Sequence, residues 1–157
     1  MAVADLASSR FMTKGADPRS RAALLAVAGL FALNGLACGA YAGVLPALRP
    51  QLGIDAGGLS VLLVCAGVCA VLGMQSGGGL AHRYGSRRVA LSAVPLLVGG
   101  VVVIGFAPSL AVAAVGAGLF GAGNGLIDVA MNDLAVHVEQ ARGTPVMSRV
   151  HGFWSIG

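Results

Sequence analysis

Long runs without a charged residue alternate with short polar segments along most of this chain. The first run covers 27 residues, 22–48, and the second covers 26 residues, 56–81. About 20 helical residues cross the hydrocarbon core of a bilayer, so each run predicts one transmembrane helix. We place these two helices at 22–48 and 57–81.

A third uncharged run covers 39 residues, 89–127. At 1.5 Å per residue a helix of this length would measure about 58 Å, which is too long for one crossing. Within it, Pro108 and Ser109 divide the run into a third helix, 89–107, and a fourth, 110–134. A last apolar stretch opens at Val150 and stops at Gly157, so we expect the start of a fifth helix and a truncated chain.

Composition favours a membrane protein over a soluble one. Charged residues make up 10% of the chain and hydrophobic residues 57%, whereas a soluble domain has about 25% charged residues. Six acidic and ten basic residues are too few to cover a soluble surface. We therefore expect an all-α membrane protein in the lipid bilayer, with four complete transmembrane helices and the start of a fifth.

Residues 1–21 are polar and lack the apolar core of a cleavable signal peptide, so we interpret them as a cytoplasmic tail. The basic residues divide unevenly between the two sides of the predicted bundle. Nine Lys and Arg fall on the side of the tail, and Arg49 alone falls on the other. The positive-inside rule then predicts a cytoplasmic amino terminus in a multi-pass protein of the plasma (inner) membrane.

Other functional classes fit these residues less well. The segment GAGLFG, 116–121, matches the GxGxxG pattern of dinucleotide-binding folds, but the flanking segments lack the polar faces that helices of such a fold present. The basic segment near residue 85 has no interleaved aromatic run of the kind that binds nucleic acid. No catalytic triad or P-loop occurs, and Cys65 and Cys69 have no further metal ligand nearby. We therefore expect no enzyme, no cofactor, no metal site and no nucleic-acid partner.

The predicted turn between the second and third helices reads GGLAHRYGSRR, 78–88. It resembles the loop motif G-x-L-A-D-R-x-G-R-R of the major facilitator superfamily (MFS) of transporters. His82 stands in place of the acid of that motif, and Ser86 in place of a base. The segments 120–136 and 151–157 also resemble the branch of MosC-like membrane proteins. The positions that match the loop motif are Gly78, Leu80, Ala81, Arg83, Gly85, Arg87 and Arg88.

This resemblance implies a partial MFS amino-terminal domain over 22–157, with the carboxyl-terminal half of the transporter as its missing partner. It also implies that the loop closes the cytoplasmic face through a network of charges. A histidine cannot accept a salt bridge from an arginine as an acid does, so His82 alters that network. Asp133 and Glu139, near the cytoplasmic boundary, are the candidate partners of the loop residues.

Polar side chains inside membrane helices are candidates for function because the bilayer tolerates few of them. Three in the fourth helix lie four positions apart and form one stripe. Two in the first helix, seven positions apart, lie near one face. The resemblance implies that these two helices line a substrate cavity. The candidates for binding a small solute or a proton are Asn34, Tyr41, Asn124, Asp128, Asn132 and His151.

Two roles stay open for Asp128. It suits a proton or substrate site inside the cavity, and it equally suits a structural pair with Arg83 or Arg87 at the cytoplasmic mouth. His151 also suits a solvated position at the membrane interface. Amide groups around a single acid favour a secondary active transporter that moves a small polar, sugar-like solute coupled to protons. Efflux of apolar compounds is one alternative, and a non-transporting membrane scaffold or partner subunit is another.

Overall fold

The computed structural model describes residues 18–156, which form five α-helices. Helices α1 to α4 are each long and apolar enough to cross a membrane, and residues 18–156 contain no β-strand. The expected all-α bundle with four long membrane helices is confirmed. Residues 1–17, most of the predicted tail, lie outside the described residues. The helices are α1 (Pro18–Leu52), α2 (Ala56–Tyr84), α3 (Ser86–Gly105), α4 (Leu110–Arg142) and α5 (Met147–Ile156).

Several helices extend beyond the bounds that charge patterning predicts. α1 continues to Leu52 although it contains Pro46 and Pro50, each of which leaves the carbonyl four residues earlier without its N–H donor. α4 continues to Arg142, past the predicted limit at residue 134. Uncharged runs mark only the part of a helix that is suited to hydrocarbon, and the hydrogen-bonded helix continues into polar surroundings.

The break predicted at Pro108 and Ser109 is confirmed. α3 ends at Gly105 and α4 begins at Leu110. The side chain of Ser109 accepts a hydrogen bond from the backbone N–H of Val112 at 3.4 Å. Ser109 is therefore the N-cap of α4, and its hydroxyl satisfies one of the amide groups that a helix start leaves unpaired.

α4 is the central helix, and α2 and α3 pack along its length on nearly opposite faces. Glycines on α4 permit the close approach. A Cβ on Gly125 would overlap the carbonyl oxygen of Ala70 in α2, and one on Gly123 would lie 2.5 Å from the nitrogen of Leu97 in α3. Small residues at such contacts let membrane helices gain van der Waals packing that larger side chains would prevent.

The two ends of the bundle differ in charge. The start of α1, the α2–α3 turn and the α4–α5 loop meet at one end, where Arg142 Nη1 donates to Ser20 Oγ at 2.7 Å. At the other end, Gln51 Nε2 donates to the carbonyl oxygen of Ala107 at 3.2 Å. We call the first the basic end; its arginines are Arg19, Arg21, Arg83, Arg87, Arg88, Arg142 and Arg149.

Candidate functional site

Polar side chains of α1 and α4 meet along the interior of the bundle. The thiol of Cys38 donates to Asn124 Oδ1 at 3.4 Å and so joins the two helices directly. Asp128 follows Asn124 by four residues and so lies on the same face of α4 as the Cys38 contact. We call this set the polar seam; it consists of Asn34, Cys38, Tyr41, Asn124, Asp128 and Asn132.

The register of α1 against α4 follows from these contacts. The two helices run in opposite directions, because α1 starts and α4 ends at the basic end. With Cys38 beside Asn124, one helical turn towards the basic end brings Asn34 opposite Asp128. About one turn further, Phe31 and Met131 lie in the same buried cluster. Asn34 and Asp128 therefore occupy the same level of the polar seam.

Asn34 is the most deeply buried polar residue of the seam. Its side chain is 2% exposed, and its Oδ1 atom has no hydrogen-bond partner among the described residues. A buried acceptor left unpaired costs about 1–3 kcal/mol. A hydrogen-bond donor placed at this oxygen would therefore bind favourably.

Asp128 is partly exposed and has its nearest polar partner on its own helix. Asn132 Nδ2 donates to the backbone oxygen of Asp128 at 2.8 Å and to its carboxylate Oδ1 at 3.3 Å. His151 of α5 packs on Phe31, about one turn of α1 from the level of Asp128. The carboxylate thus lies where α1, α4 and α5 come together, and no ion pair links it to Arg83 or Arg87 within residues 18–156.

Tyr41 closes the polar seam on the side away from the basic end. Its ring stacks on Phe120 of α4, with centroids 4.3 Å apart and an angle of 8° between the ring planes. Its hydroxyl donates to the backbone oxygen of Leu62 in α2 at 3.2 Å. Tyr41 therefore ties three helices together, and a contact between its hydroxyl and a solute stays a prediction.

His151 lies at the end of the seam nearer the basic end. Its ring packs on Phe31 of α1 at 4.9 Å between centroids, tilted by 57°. α5 can approach α1 closely because a Cβ on Gly35 would overlap the carbonyl oxygen of Trp154. His151 itself is exposed, so it borders the seam without being enclosed by it.

The loop motif lies at the basic end, and Asp133 contacts it through Ser86 rather than through an arginine. The Ser86 hydroxyl donates to Asp133 Oδ2. His137 Nδ1 lies 3.5 Å from the same oxygen, Oδ2. No ion pair joins Asp133 to Arg83 or Arg87 in the part of the chain that the structure describes. The Ser86 contact fixes the start of α3 against α4.

Two openings adjoin the loop motif. Asp133 lies in a pocket of about 330 Å³ between α2 and α4, which His82 and His137 also line. A larger apolar crevice of about 510 Å³ lies between α1 and α3, with Arg87 as its charged residue.

The other residues of the loop motif line neither opening as charged groups. The guanidinium of Arg83 packs over the ring of Tyr84, 5.3 Å from its centroid. Gly78, Leu80 and Arg88 are exposed. No three His, Cys, Asp or Glu side chains gather into a metal site within residues 18–156.

Glu139 lies apart from the loop motif and caps α5. Its Oε2 atom accepts the backbone N–H groups of Val146 at 2.7 Å and Met147 at 3.0 Å. A carboxylate at a helix start satisfies unpaired amide groups and favours the positive end of the helix dipole. In this structure Glu139 organises the α4–α5 loop, and its role as a partner of the loop arginines stays a prediction.

Three contacts in this region involve residues that the sequence patterns did not select as site residues. Cys38 is uncharged and belongs to no sequence motif, yet its thiol donates to Asn124. Ser86 is only a departure from the loop motif in sequence, yet it binds Asp133. For His137 a signal was present, because it follows Asp133 by four residues on the same helix and such pairs are neighbours.

Sequence comparisons identify related membrane proteins. The chain is 37% identical over 132 residues to an uncharacterized transporter, y4wD, of Sinorhizobium fredii, a match that covers 83% of this chain and 35% of that protein. It is 36% identical over 127 residues to an uncharacterized MFS-type transporter of Yersinia pestis, covering 81% of this chain and 33% of that one. It is 33% identical over 141 residues to the membrane protein MosC of Rhizobium meliloti, covering 90% of this chain and 35% of that protein.

The chain thus spans about a third of the length of the curated relatives it matches. No family model and no solved structure matches it. Relatives described as transporters and as a membrane protein are in line with the four long apolar helices of the described residues. Over the part that it covers, this multi-pass membrane protein is therefore a homologue of MFS-type transporters, and MosC is among its relatives.

Proposed function

We propose that this chain forms the amino-terminal domain of a secondary active transporter that moves a small polar, sugar-like solute and couples to protons through Asp128. The observation that carries the proposal is the polar seam. It holds a single acid among amide side chains, between two helices that are apolar enough to cross a membrane. An ionisable group at such a depth is expensive to keep, which favours a role in transport.

The chemistry of the seam supports a polar solute. Asn34 offers a buried acceptor, and Asn124 and Asn132 bring further amide groups. A solute with several hydroxyl groups can donate to such acceptors and accept from such amides. The rings of Tyr41 and Phe120 stack on each other within the bundle core. Because these rings pack against protein, they support a polar cavity rather than one lined by aromatic rings.

The remainder of the transporter completes the cavity. Transporters of this type bind solute near the bilayer midplane between two repeated halves. Here the seam supplies one wall, and the second half supplies the other. The basic end faces the cytoplasm of a cell with the protein in its plasma (inner) membrane, in line with the positive-inside rule. Ser86 and Asp133 then belong to the cytoplasmic gate, together with His82 and the loop arginines.

The test is uptake by the complete transporter reconstituted in liposomes with an inward proton gradient. Labelled D-glucose and D-mannitol serve as polar solutes, and a fluorescent apolar dye serves as the efflux substrate. We expect accumulation of a polar solute by the wild type. Asp128→Asn should abolish accumulation while sparing downhill exchange of the same solute, because the amide cannot carry a proton.

Asp55→Asn is the matched control. Asp55 caps α2 by accepting the N–H of Gly58 at 2.9 Å, and asparagine caps helices as well as aspartate does. This variant should accumulate solute as the wild type does. Unchanged accumulation by Asp128→Asn would assign Asp128 a structural role, and transport of the dye alone would replace the proposal with apolar efflux.

A further inference from the structure

We infer that Asn34 is a positioning residue for the coupling proton: its Oδ1 atom accepts the hydrogen bond that protonated Asp128 donates. The inference rests on the proposed function of Asp128 and adds the group that holds its proton. It places the proton between α1 and α4, so that protonation changes a contact between two membrane helices rather than a contact within one.

The geometry of the seam carries this inference. Asn34 and Asp128 stand at one level, between the Cys38–Asn124 hydrogen bond and the Phe31–Met131 cluster. Asn34 is nearly inaccessible to solvent, and its Oδ1 atom is unpaired among the described side chains. An unpaired acceptor so deeply buried calls for a donor. A protonated carboxyl group supplies one, whereas a carboxylate does not.

The two carboxylate oxygens of Asp128 have different partners. Oδ1 accepts from Asn132 Nδ2 on the same helix. Oδ2 is then the atom that takes the proton, and the new O–H group donates to Asn34 Oδ1 across the helix interface. A hydronium ion that reaches the cavity supplies the proton: one of its O–H bonds breaks, one O–H bond forms at Oδ2, and a water molecule is left. The charge of Asp128 changes from minus one to zero.

Other titratable groups near Asp128 are few. Cys38 of α1 lies one turn away, beside Asn124, and His151 of α5 lies about one turn away on the other side, beside Phe31. α2 contacts the neighbouring face of α4 near Gly125, and it has no titratable residue between Cys69 and His82. α3 packs on the far side, near Gly123. Asn34 and Asn132 are therefore the amides that most directly favour one protonation state over the other.

The two amides act in opposite directions. Asn132 donates to the carboxylate and so favours the charged form of Asp128, while the oxygen of Asn34 favours the protonated form. Loss of the Asn34 acceptor should move the midpoint of protonation to lower pH. Loss of the Asn132 donor should move it to higher pH. If the two asparagines had merely structural roles, their loss would not move the protonation midpoint of Asp128 in these opposite directions.

The experiment follows the carbonyl stretch of the protonated Asp128 carboxyl group by infrared difference spectroscopy, on the complete transporter in lipid across a pH series. No solute is needed. Asn34→Val removes the acceptor, and Asn34→Thr is its matched control, because threonine has nearly the shape of valine and keeps an acceptor oxygen. We expect Asn34→Val to lower the midpoint by about one pH unit, a tenfold loss of proton affinity, and Asn34→Thr to restore most of it.

Asn132→Leu should raise the midpoint in the same assay. Asn34→Ala also lacks the acceptor and takes the place of Asn34→Val if the valine variant does not fold. Equal midpoints for the wild type, the acceptor-free variant and Asn34→Thr would overturn the inference while leaving the proposed function intact. If Asp128→Asn does not remove the band, the proton is bound elsewhere and the proposed function itself fails.

Discussion

Cys38 and Asn124 fix α1 and α4 in one register, because the thiol of the first donates to the amide oxygen of the second at 3.4 Å. The contact is the link from which the level of every other residue in the polar seam follows. A slip of one helical turn would put Asn34 opposite Asn124 or Asn132 rather than Asp128. The register therefore has to be tested independently of any transport activity.

Disulfide formation provides that test. Replacing Asn124 by Cys in a background of Cys65→Ala and Cys69→Ala should place two thiols within bonding reach, since the side-chain atoms of these positions already touch. We expect mild oxidation of the complete transporter in membranes to cross-link residues 38 and 124 in most molecules. Mass spectrometry of the proteolysed protein identifies the linked peptides.

The matched control moves the thiol on α1 to the outer face. Leu36 is 61% exposed, so Leu36→Cys combined with Cys38→Ala should not cross-link to the cysteine at 124. A control that reacted as fully as the test pair would show that α1 rotates or slides against α4, and the assigned register would then be wrong.

Gly125 tests the packing of α2 on α4. A Cβ there would overlap the carbonyl oxygen of Ala70 and lie 2.8 Å from the nitrogen of Met74, and backbone atoms cannot rotate away. Gly125→Ala should therefore destabilise the fold by about 1–3 kcal/mol. Gly99 of α3 has nothing within 4 Å of such a Cβ, so Gly99→Ala should stabilise its helix by about 0.5–1 kcal/mol. Thermal unfolding of the complete transporter in detergent measures both; a Gly125→Ala protein as stable as the wild type would contradict this packing.

Glu139 tests the start of α5. Glu139→Ala removes the acceptor of two backbone N–H groups and should cost about 1 kcal/mol of local stability. Hydrogen exchange followed by mass spectrometry should show faster exchange at Val146 and Met147. Gln140→Ala, the exposed neighbour on the same helix, should leave that exchange unchanged. Equal exchange in the two variants would mean that Glu139 does not cap α5.

Most of the fold could be predicted from the sequence, because the charge-free runs are as long as a helix must be to cross the hydrocarbon core of a bilayer. The break at Pro108 and Ser109 and the number of long helices follow from that match. Helix ends did not follow as closely: α4 continues to Arg142, since hydrogen bonding propagates a helix into water without any hydrophobic signal. The packing of α2 and α3 on α4 did not follow from the sequence, because a glycine that permits close approach does not identify the helix that approaches it.

The part of the candidate site that lies on a single helix could be predicted from the spacing of its polar residues. Asn124, Asp128 and Asn132 share a stripe by spacing alone, and the Asn132–Asp128 hydrogen bond is local. Contacts between helices were beyond such reasoning, because spacing within one helix does not give its register against another. The Cys38–Asn124 and Ser86–Asp133 contacts join residues far apart in the chain. They became apparent only once the helices were placed side by side.

The orientation of the bundle in the membrane can be tested by labelling single cysteines at its two ends. Ser86 is a poor labelling site because its side chain is 9% exposed and bound to Asp133. Arg88 at the basic end and Asp55 at the opposite end are both exposed. In a background without Cys38, Cys65 and Cys69, we expect a membrane-impermeant maleimide added to intact cells to label Asp55→Cys and to miss Arg88→Cys. Permeabilised cells should label both, which shows that Arg88→Cys is reactive. Labelling of Arg88→Cys alone in intact cells would reverse the bundle in the membrane, and the loop motif would then face the outside.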